Sequence, residues 1–413
     1  MASLLIHHAS QIATPIGHYL RGNAMNTLRI YENASIYIQN GIIRAIGTPS
    51  EIERSFPPAS EVIDATDCAV IPGLIDAHTH LLFAGTREKE FALRLSGATY
   101  QEIASQGGGI LSTVQATRKA SKAELKTIAK RYLSLALAHG TTTMEIKTGY
   151  GLNAETELLL LDVIDELNRE QPITLVPTFL GAHAFPPDVS KSDYLDLLIT
   201  LLPKVATKAK FIDAFVEENY FSLEETERLC TEARRFGLKP RLHVNQFSSN
   251  GGAELGLRLG AVSLDHLEKI SNKEIHLLAE SETVATLLPC VSLFLGEGSP
   301  PARNLIDSGA IVAIASNFNP GSAMNLNMQL VMFVACAQLR LTPNEALTAS
   351  TLNAAYSLGL SHAIGSIEIG KQADLLILDT PNFEQAIYFF GINHSKTVIK
   401  QGVVVWTRSH SSI

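Results

Sequence analysis

From residue 69 onward, short apolar stretches alternate with longer amphipathic ones, and both ends of the chain carry alternating or hairpin-like stretches. These patterns predict an α/β fold: a (β/α)8 TIM-like barrel with a small composite β-sandwich domain formed by both termini. The expected division places the N-terminal part of the β domain at 1–68, the barrel at 69–362 and the C-terminal part of the β domain at 363–413.

In the first segment, Ser35 to Gly47 holds two apolar runs around Asn40-Gly41, a dipeptide suited to a hairpin turn. Barrel strands are expected near 70–78, 141–147, 173–180, 211–217, 240–245, 261–266, 284–289 and 311–317. Helices are expected between them at 122–138, 154–170, 191–207, 223–236, 250–259, 272–281 and 301–308, and after them near 325–340 and 343–358. The last of these opens Thr342-Pro343-Asn344-Glu345, with Thr at the N-cap, Pro at the first helical position and Glu at the third. The tail returns to β: 363–379 alternates and then runs apolar, and Val398 to Trp406 reads as a hairpin.

The totals exclude several classes. With 46% hydrophobic and 18% charged residues, a large core is expected rather than disorder. The net charge of −8 disfavours general binding to nucleic acid or to an acidic membrane. There is no basic segment leading into a long apolar one at the N-terminus, and no apolar run approaches the roughly 18 residues of a membrane span. Cys68, Cys230, Cys290 and Cys336 form no Cys-x-x-Cys pair and read as reduced, packed thiols of a cytoplasmic protein.

Chemistry in such a barrel gathers at the C-terminal ends of its strands. Five histidines fall there: His78 and His80 after the first strand, then His183, His243 and His266. His78 and His80 are spaced to share one face of an extended strand. With His243 they offer three imidazoles to one divalent metal, and nitrogen donors suit zinc or iron better than magnesium or calcium. Such a metal activates water at neutral pH. The other histidines, among them His7, His18, His139, His394 and His410, read as surface or packing residues.

Pro72-Gly-Leu-Ile-Asp-Ala-His-Thr-His80 resembles the amidohydrolase superfamily. Leu82 to Phe91, Glu145 to Leu152, Thr178 to Ala184 and Asn317 to Ser322 narrow the resemblance to the imidazolonepropionases of histidine breakdown. The resemblance covers nearly the whole chain. It implies ring opening of 4-imidazolone-5-propanoate to N-formimidoyl-L-glutamate, a homodimer, and metal ligands at His78, His80, His243 and position 317. It implies substrate contacts at Arg87, Tyr150, His183, Gln246, Asn319, Gly321 and Ser322, and places His266 beside the reacting water.

The residue chemistry agrees. A guanidinium suits the substrate carboxylate, although by spacing alone Arg87 fits a surface arginine equally well. Tyr150 sits in a Gly-Tyr-Gly turn that would project its ring, and Gly321-Ser322 could offer backbone N–H groups or be a simple turn. Gln246 can both donate and accept, as a ring with amide and amidine edges requires.

Two positions depart from the family. Asn317 stands where the resemblance implies an aspartate that ligates metal and carries a proton, and an amide can ligate but cannot act as a base. Asn245 stands where relatives often carry an acid, and on an extended strand it would face the same way as His243. The chain is thus an enzyme with impaired turnover, an enzyme using another base such as His266, or a binding protein that keeps the pocket. An aminoimidazole or guanine-type deaminase is a further alternative, but His243-Val-Asn-Gln246 lacks the final Glu expected there.

Overall fold

A computed structural model describes residues 2–97, 108–296 and 298–409. His410 lies outside the described residues.

The chain begins with β1 (Ser3–Thr14), β2 (Arg29–Gln39), β3 (Ile42–Gly47), β4 (Glu61–Asp64) and β5 (Ala69–Pro72). The β2–β3 turn is at Asn40-Gly41, with φ of +51° and +77°, as a two-residue hairpin turn requires. Next come β6 (Leu74–Asp76), β7 (Thr141–Lys147), β8 (Thr174–Ala182), β9 (Phe211–Val216), β10 (Lys239–Val244), β11 (Ser263–His266), β12 (Val284–Leu287) and β13 (Ile311–Ile314). The chain ends with β14 (Leu375–Leu378), β15 (Ser395–Lys400) and β16 (Val403–Thr407).

The eight strands β6 to β13 form one parallel sheet in chain order. Thr79, just past β6, pairs in parallel with Phe318, just past β13, and joins the two ends of that sheet. The remaining strands form a second sheet in the order β16-β15-β14-β5-β1-β2-β3, with β4 also on β1. Both termini therefore build one sheet. Its apolar core includes Ile6, Ile12, Ile36, Val70, Leu375 and Ile399.

The expected strand at 70–78 is divided. Residues 69–72 pair with β1 and β14 in the terminal sheet, and only 74–76 enter the barrel. Gly73 makes the transition because a side chain there would fall on Oγ1 and Cγ2 of Thr142. The expected helix at 343–358 is likewise two, Pro343–Ser350 and Leu352–Ser357, broken at Thr351 (φ −131°, ψ −87°). The predicted Thr342 cap and capping box are present. Of the expected strand at 363–379, only 375–378 is regular. Helices Glu88–Leu95, Ile110–Lys119 and Pro289–Leu295, which no periodicity marks, lie in the segments that leave β6 and β12.

The barrel interior is charged as well as apolar. Lys147 and Arg241 are fully buried among Glu145, Asp213 and Asp265. Arg241 also donates to Ser357 O and Ala77 O at 2.9 Å each, tying β10 to the chain after β6 and to the last helix of the barrel. Among the described residues no helix is long and apolar enough to cross a membrane.

Gly73→Ala is expected to destabilise the protein by about 1–3 kcal/mol through overpacking against Thr142. Urea unfolding measures this, and Thr142→Ala in the same chain should recover part of the loss.

Candidate metal centre and substrate pocket

The pairing that joins the ends of the barrel also builds the centre. Asn317 N donates to His78 O at 3.0 Å and His80 N donates to Phe318 O at 2.9 Å. The two histidines after β6 are thereby fixed beside Asn317. His80 Nε2 lies 3.3 Å from His78 Nε2 and 3.3 Å from His243 Nε2. All three side chains are buried.

Two of these rings are oriented from behind. His78 Nδ1 lies 2.6 Å from Asp265, and His243 Nδ1 lies 3.0 Å from Asp213. A carboxylate at Nδ1 keeps the proton there and leaves the Nε2 lone pair facing inward. Lone pairs that converge in this way repel each other unless a cation sits among them. Asn317 Oδ1 is buried on the same site and has no hydrogen-bond partner among the described residues. The three converging imidazoles, with the Asn317 amide lining the same cavity, fit a divalent metal.

The charges behind the rings maintain this state. Burial works against the charge on Lys147, but Asp213, Glu145 and Asp265 outweigh it and hold the ammonium above the usual lysine range. Burial likewise works against ionised Asp265, and Arg241 and Lys147 hold it below the usual carboxylate range. Burial, then the Lys147 charge, keeps His78 and His243 well below the usual histidine range. Burial does the same for His80, with His183 beside it. The imidazoles are neutral, as ligands must be.

A cavity of about 550 Å³ opens from this centre. It brings together most of the residues the sequence singled out. His80, Arg87, Tyr150, His183, His243, Gln246, His266, Asn317, Asn319, Gly321 and Ser322 all line it, and His78 lies beneath it as the third imidazole. His183 stacks on His80 at 4.9 Å between ring centres, and its Nδ1 lies 3.1 Å from Gly149 O. Burial brings His183 down to about 4. Tyr150 is projected by a turn whose Gly149, Gly151 and Leu152 N–H groups all donate to Glu157. His266 has φ +84°, an unusual value for a residue with a side chain, and its Nδ1 lies 3.4 Å from Glu268.

Two expectations are corrected. Asn245 does not face the site with His243. Its φ of +54° ends the strand alternation, and its side chain donates to Glu274 and accepts from Ala253 N at 3.1 Å. The N–H groups of Gly321 and Ser322 are not open to a ligand: both donate to Asn319 Oδ1, at 2.7 and 2.9 Å. Sequence reasoning gave no role to Asp213, Asp265, Glu157 or Glu90. Asp265 stands in register with His243, and Asp213 in register with Arg241, two residues before His243, a signal that needs the strand pairing to be read.

In the metal-free protein these histidines make stability pH-dependent. An unfolded chain takes up protons on them near pH 6.5, whereas the folded chain does not. Their contribution is present above pH 6.5 and is lost progressively as pH falls below it, that of His183 down to about 4. Asp76, which burial raises to about 7, acts in the opposite sense for one proton. Urea unfolding of metal-free protein should therefore weaken below pH 6.5, and His80→Asn should lessen the slope by about 1.4 kcal/mol per pH unit.

The chain is similar to known proteins over nearly its whole length. The sequence model of the Amidohydrolase family matches residues 69–405. Imidazolonepropionase of Geobacillus thermodenitrificans is 43% identical over 416 residues, covering 98% of each chain. Imidazolonepropionase of Rubrobacter xylanophilus is 44% identical over 405 residues, covering 97% of this chain and 98% of its own. Among solved structures, an adenosine deaminase from Xanthomonas campestris with bound zinc superposes with a TM-score of 0.76 at 21% identity, covering 98% of this chain and 92% of its own. A triazine hydrolase from Arthrobacter aurescens gives 0.78 at 18% identity, covering 98% and 94%. These two share the fold. On the sequence matches, the chain belongs to the amidohydrolase family and, within it, to the imidazolonepropionases.

Proposed function

We propose that the protein hydrolyses the ring C–N bond of 4-imidazolone-5-propanoate, giving N-formimidoyl-L-glutamate in histidine degradation. The observation that carries this reading is one cavity lined by converging imidazole nitrogens and by the Arg87 guanidinium. The first suits a polarised carbonyl and the second a propanoate. The remaining support is the similarity to imidazolonepropionases over nearly the whole chain.

His78, His80, His243 and Asn317 would hold one divalent ion, zinc or iron. When bound, such an ion lowers the pKa of water and polarises the ring carbonyl. Arg87 holds the carboxylate, and Tyr150, His183, Gln246, Asn319, Gly321 and Ser322 shape the bed for the ring. Opening the ring needs water oxygen on the carbonyl carbon, cleavage of the C–N bond and one proton delivered to the departing nitrogen. Asn317 and Gln246 are amides and cannot carry that proton. His266 lines the cavity and its imidazole can both accept and donate a proton, so it is assigned this role, with Glu268 at its Nδ1.

A specific observation favours a second reading, ligand binding with weak or no turnover. The residue at 317 offers the centre an amide oxygen without a hydrogen-bond partner among the described residues, and no base. A deaminase is disfavoured because the position three after His243 is Gln246. The protein is further proposed to be cytoplasmic, supported by its free cysteines, and to form a homodimer, which light scattering would test.

Three outcomes are expected of the metal-loaded protein. Asn317→Asp should raise kcat by roughly 10²–10⁴-fold and tighten metal binding, read by product formation and by competition with a chelator. His266→Gln should lower kcat by a similar factor with little change in KM. Arg87→Met should raise KM by about 10–100-fold, the worth of a charge-assisted hydrogen bond. If neither the chain as it stands nor Asn317→Asp opens the ring with zinc or iron, the assignment fails.

A further inference from the structure

Arg87 sits at the start of helix Glu88–Leu95, in the segment that leaves β6. Its guanidinium lies against Gly321: a Cβ there would come within 2.5 Å of Arg87 Nη1 and 3.1 Å of Cζ. A long side chain on a loop does not hold one such position unaided, because its free torsions offer many others of similar energy.

The structure supplies a holder. Glu90 Oε2 accepts from Arg87 Nε at 2.8 Å. The other oxygen, Oε1, accepts from Gly109 N at 3.1 Å and from Ser112 Oγ at 3.2 Å. Gly109 is the N-cap of helix Ile110–Lys119 and has φ +79°, a conformation glycine adopts most readily. One carboxylate thus joins the arginine to the start of a second helix. The ion pair is shielded, with side-chain exposures of 14% for Arg87 and 17% for Glu90. Nε is occupied, and among the described residues no hydrogen-bond partner is shown for Nη1 or Nη2.

We propose that Glu90 is a positioning residue for recognition of the substrate carboxylate. It holds Nε so that the Nη1/Nη2 edge of Arg87 faces the cavity over Gly321, where it can meet a carboxylate with two parallel hydrogen bonds. This rests on the functional reading above, in which Arg87 binds the propanoate. Glu90 also lines the cavity, but both its oxygens are engaged by Arg87 Nε, Gly109 N and Ser112 Oγ, so it acts through Arg87. Its effect is on the affinity for an anionic tail and on discrimination between a carboxylate and a neutral group of the same shape.

The opposing possibility is simple repulsion. A carboxylate beside Arg87 also repels the substrate anion, and if that effect dominated, removing Glu90 would tighten binding. Two variants separate the effects. Glu90→Ala removes both the charge and the acceptor, whereas Glu90→Gln removes the charge and keeps an oxygen for Nε–H.

The test is calorimetric titration of zinc-loaded full-length protein with 3-(imidazol-4-yl)propanoate and with its neutral propanamide. Glu90→Ala should weaken propanoate binding about ten-fold while changing propanamide binding less than two-fold, as expected for one lost charge-assisted contact. Glu90→Gln should recover most of the loss. Ser112→Ala, which leaves the Arg87–Glu90 contact in place, should weaken propanoate binding only two- to three-fold, with circular dichroism checking the fold of each variant. Equal losses for both ligands, unchanged binding, or tighter propanoate binding in Glu90→Ala overturns the role of Glu90 and leaves the functional reading standing. Failure of the unsubstituted chain to prefer propanoate over propanamide overturns the reading of Arg87, and this inference with it.

Discussion

Lys147 is a full positive charge at the centre of the barrel, out of reach of water. An ammonium in that position persists only if anions surround it, and Glu145 and Asp213 lie 2.8 Å away with Asp265 at 3.6 Å. Those carboxylates come from three different strands, so the charge cluster also locks β7, β9 and β11 in register. Two of them act twice, since Asp265 and Asp213 also hold the Nδ1 atoms of His78 and His243. The ligand geometry therefore depends on a charge that never reaches the pocket. Removing one member would leave an uncompensated buried ion, a cost of about 3–5 kcal/mol. The cluster carries three carboxylates against two cations, Lys147 and Arg241, an arrangement that favours a divalent cation above it.

The ends of the strands convert this scaffold into a site. While a strand stays extended, alternate side chains share a face, which serves His78 and His80. At the last ladder pair or just past it the chain turns sharply: His266, the final residue of β11, and Asn245 and Asn317, beyond β10 and β13, all take positive φ. Asparagine tolerates that region better than most residues. His266 does so at φ +84°, a strained conformation of the kind that concentrates at functional sites. The same sharp turns give each residue its own direction: Asn317 towards the histidines, Asn245 away from them to Glu274.

The pocket separates holding from reacting. At one end Arg87 is braced by Glu90 and packed on Gly321. At the other, neutral imidazoles and Asn317 surround a space suited to a cation. Between them, Tyr150 is held out by a turn that folds around the Glu157 carboxylate, and Asn319 uses its own side chain to close the turn through Gly321 and Ser322. Preorganisation of this kind lowers the ordering cost of binding. It is retained here even though the residue at 317 cannot carry a proton.

Much of this architecture is legible in the residues alone, because it rests on short-range rules. The period of apolar residues marks the helices 122–138 and 154–170 at their observed bounds, the Thr342-Pro-Asn-Glu cap marks a helix start, and His-Thr-His at a strand end marks a metal pair. Partners that lie far apart along the chain are not legible: Asp213 and Asp265 behind the rings, Glu157 under the tyrosine turn, Glu90 behind Arg87. Nor is the sharing of residues 69–76 between two sheets, since a continuous apolar run looks the same whether it pairs once or twice. Local sequence sets which elements form and which residue types are available to the chemistry, because propensity and patterning act over a few residues. Where side chains point beyond the strand ends, and which charge stands behind which ligand, is set only in the folded barrel. That direction depends on a single φ angle, and that pairing on the register of strands that meet only once the barrel has closed.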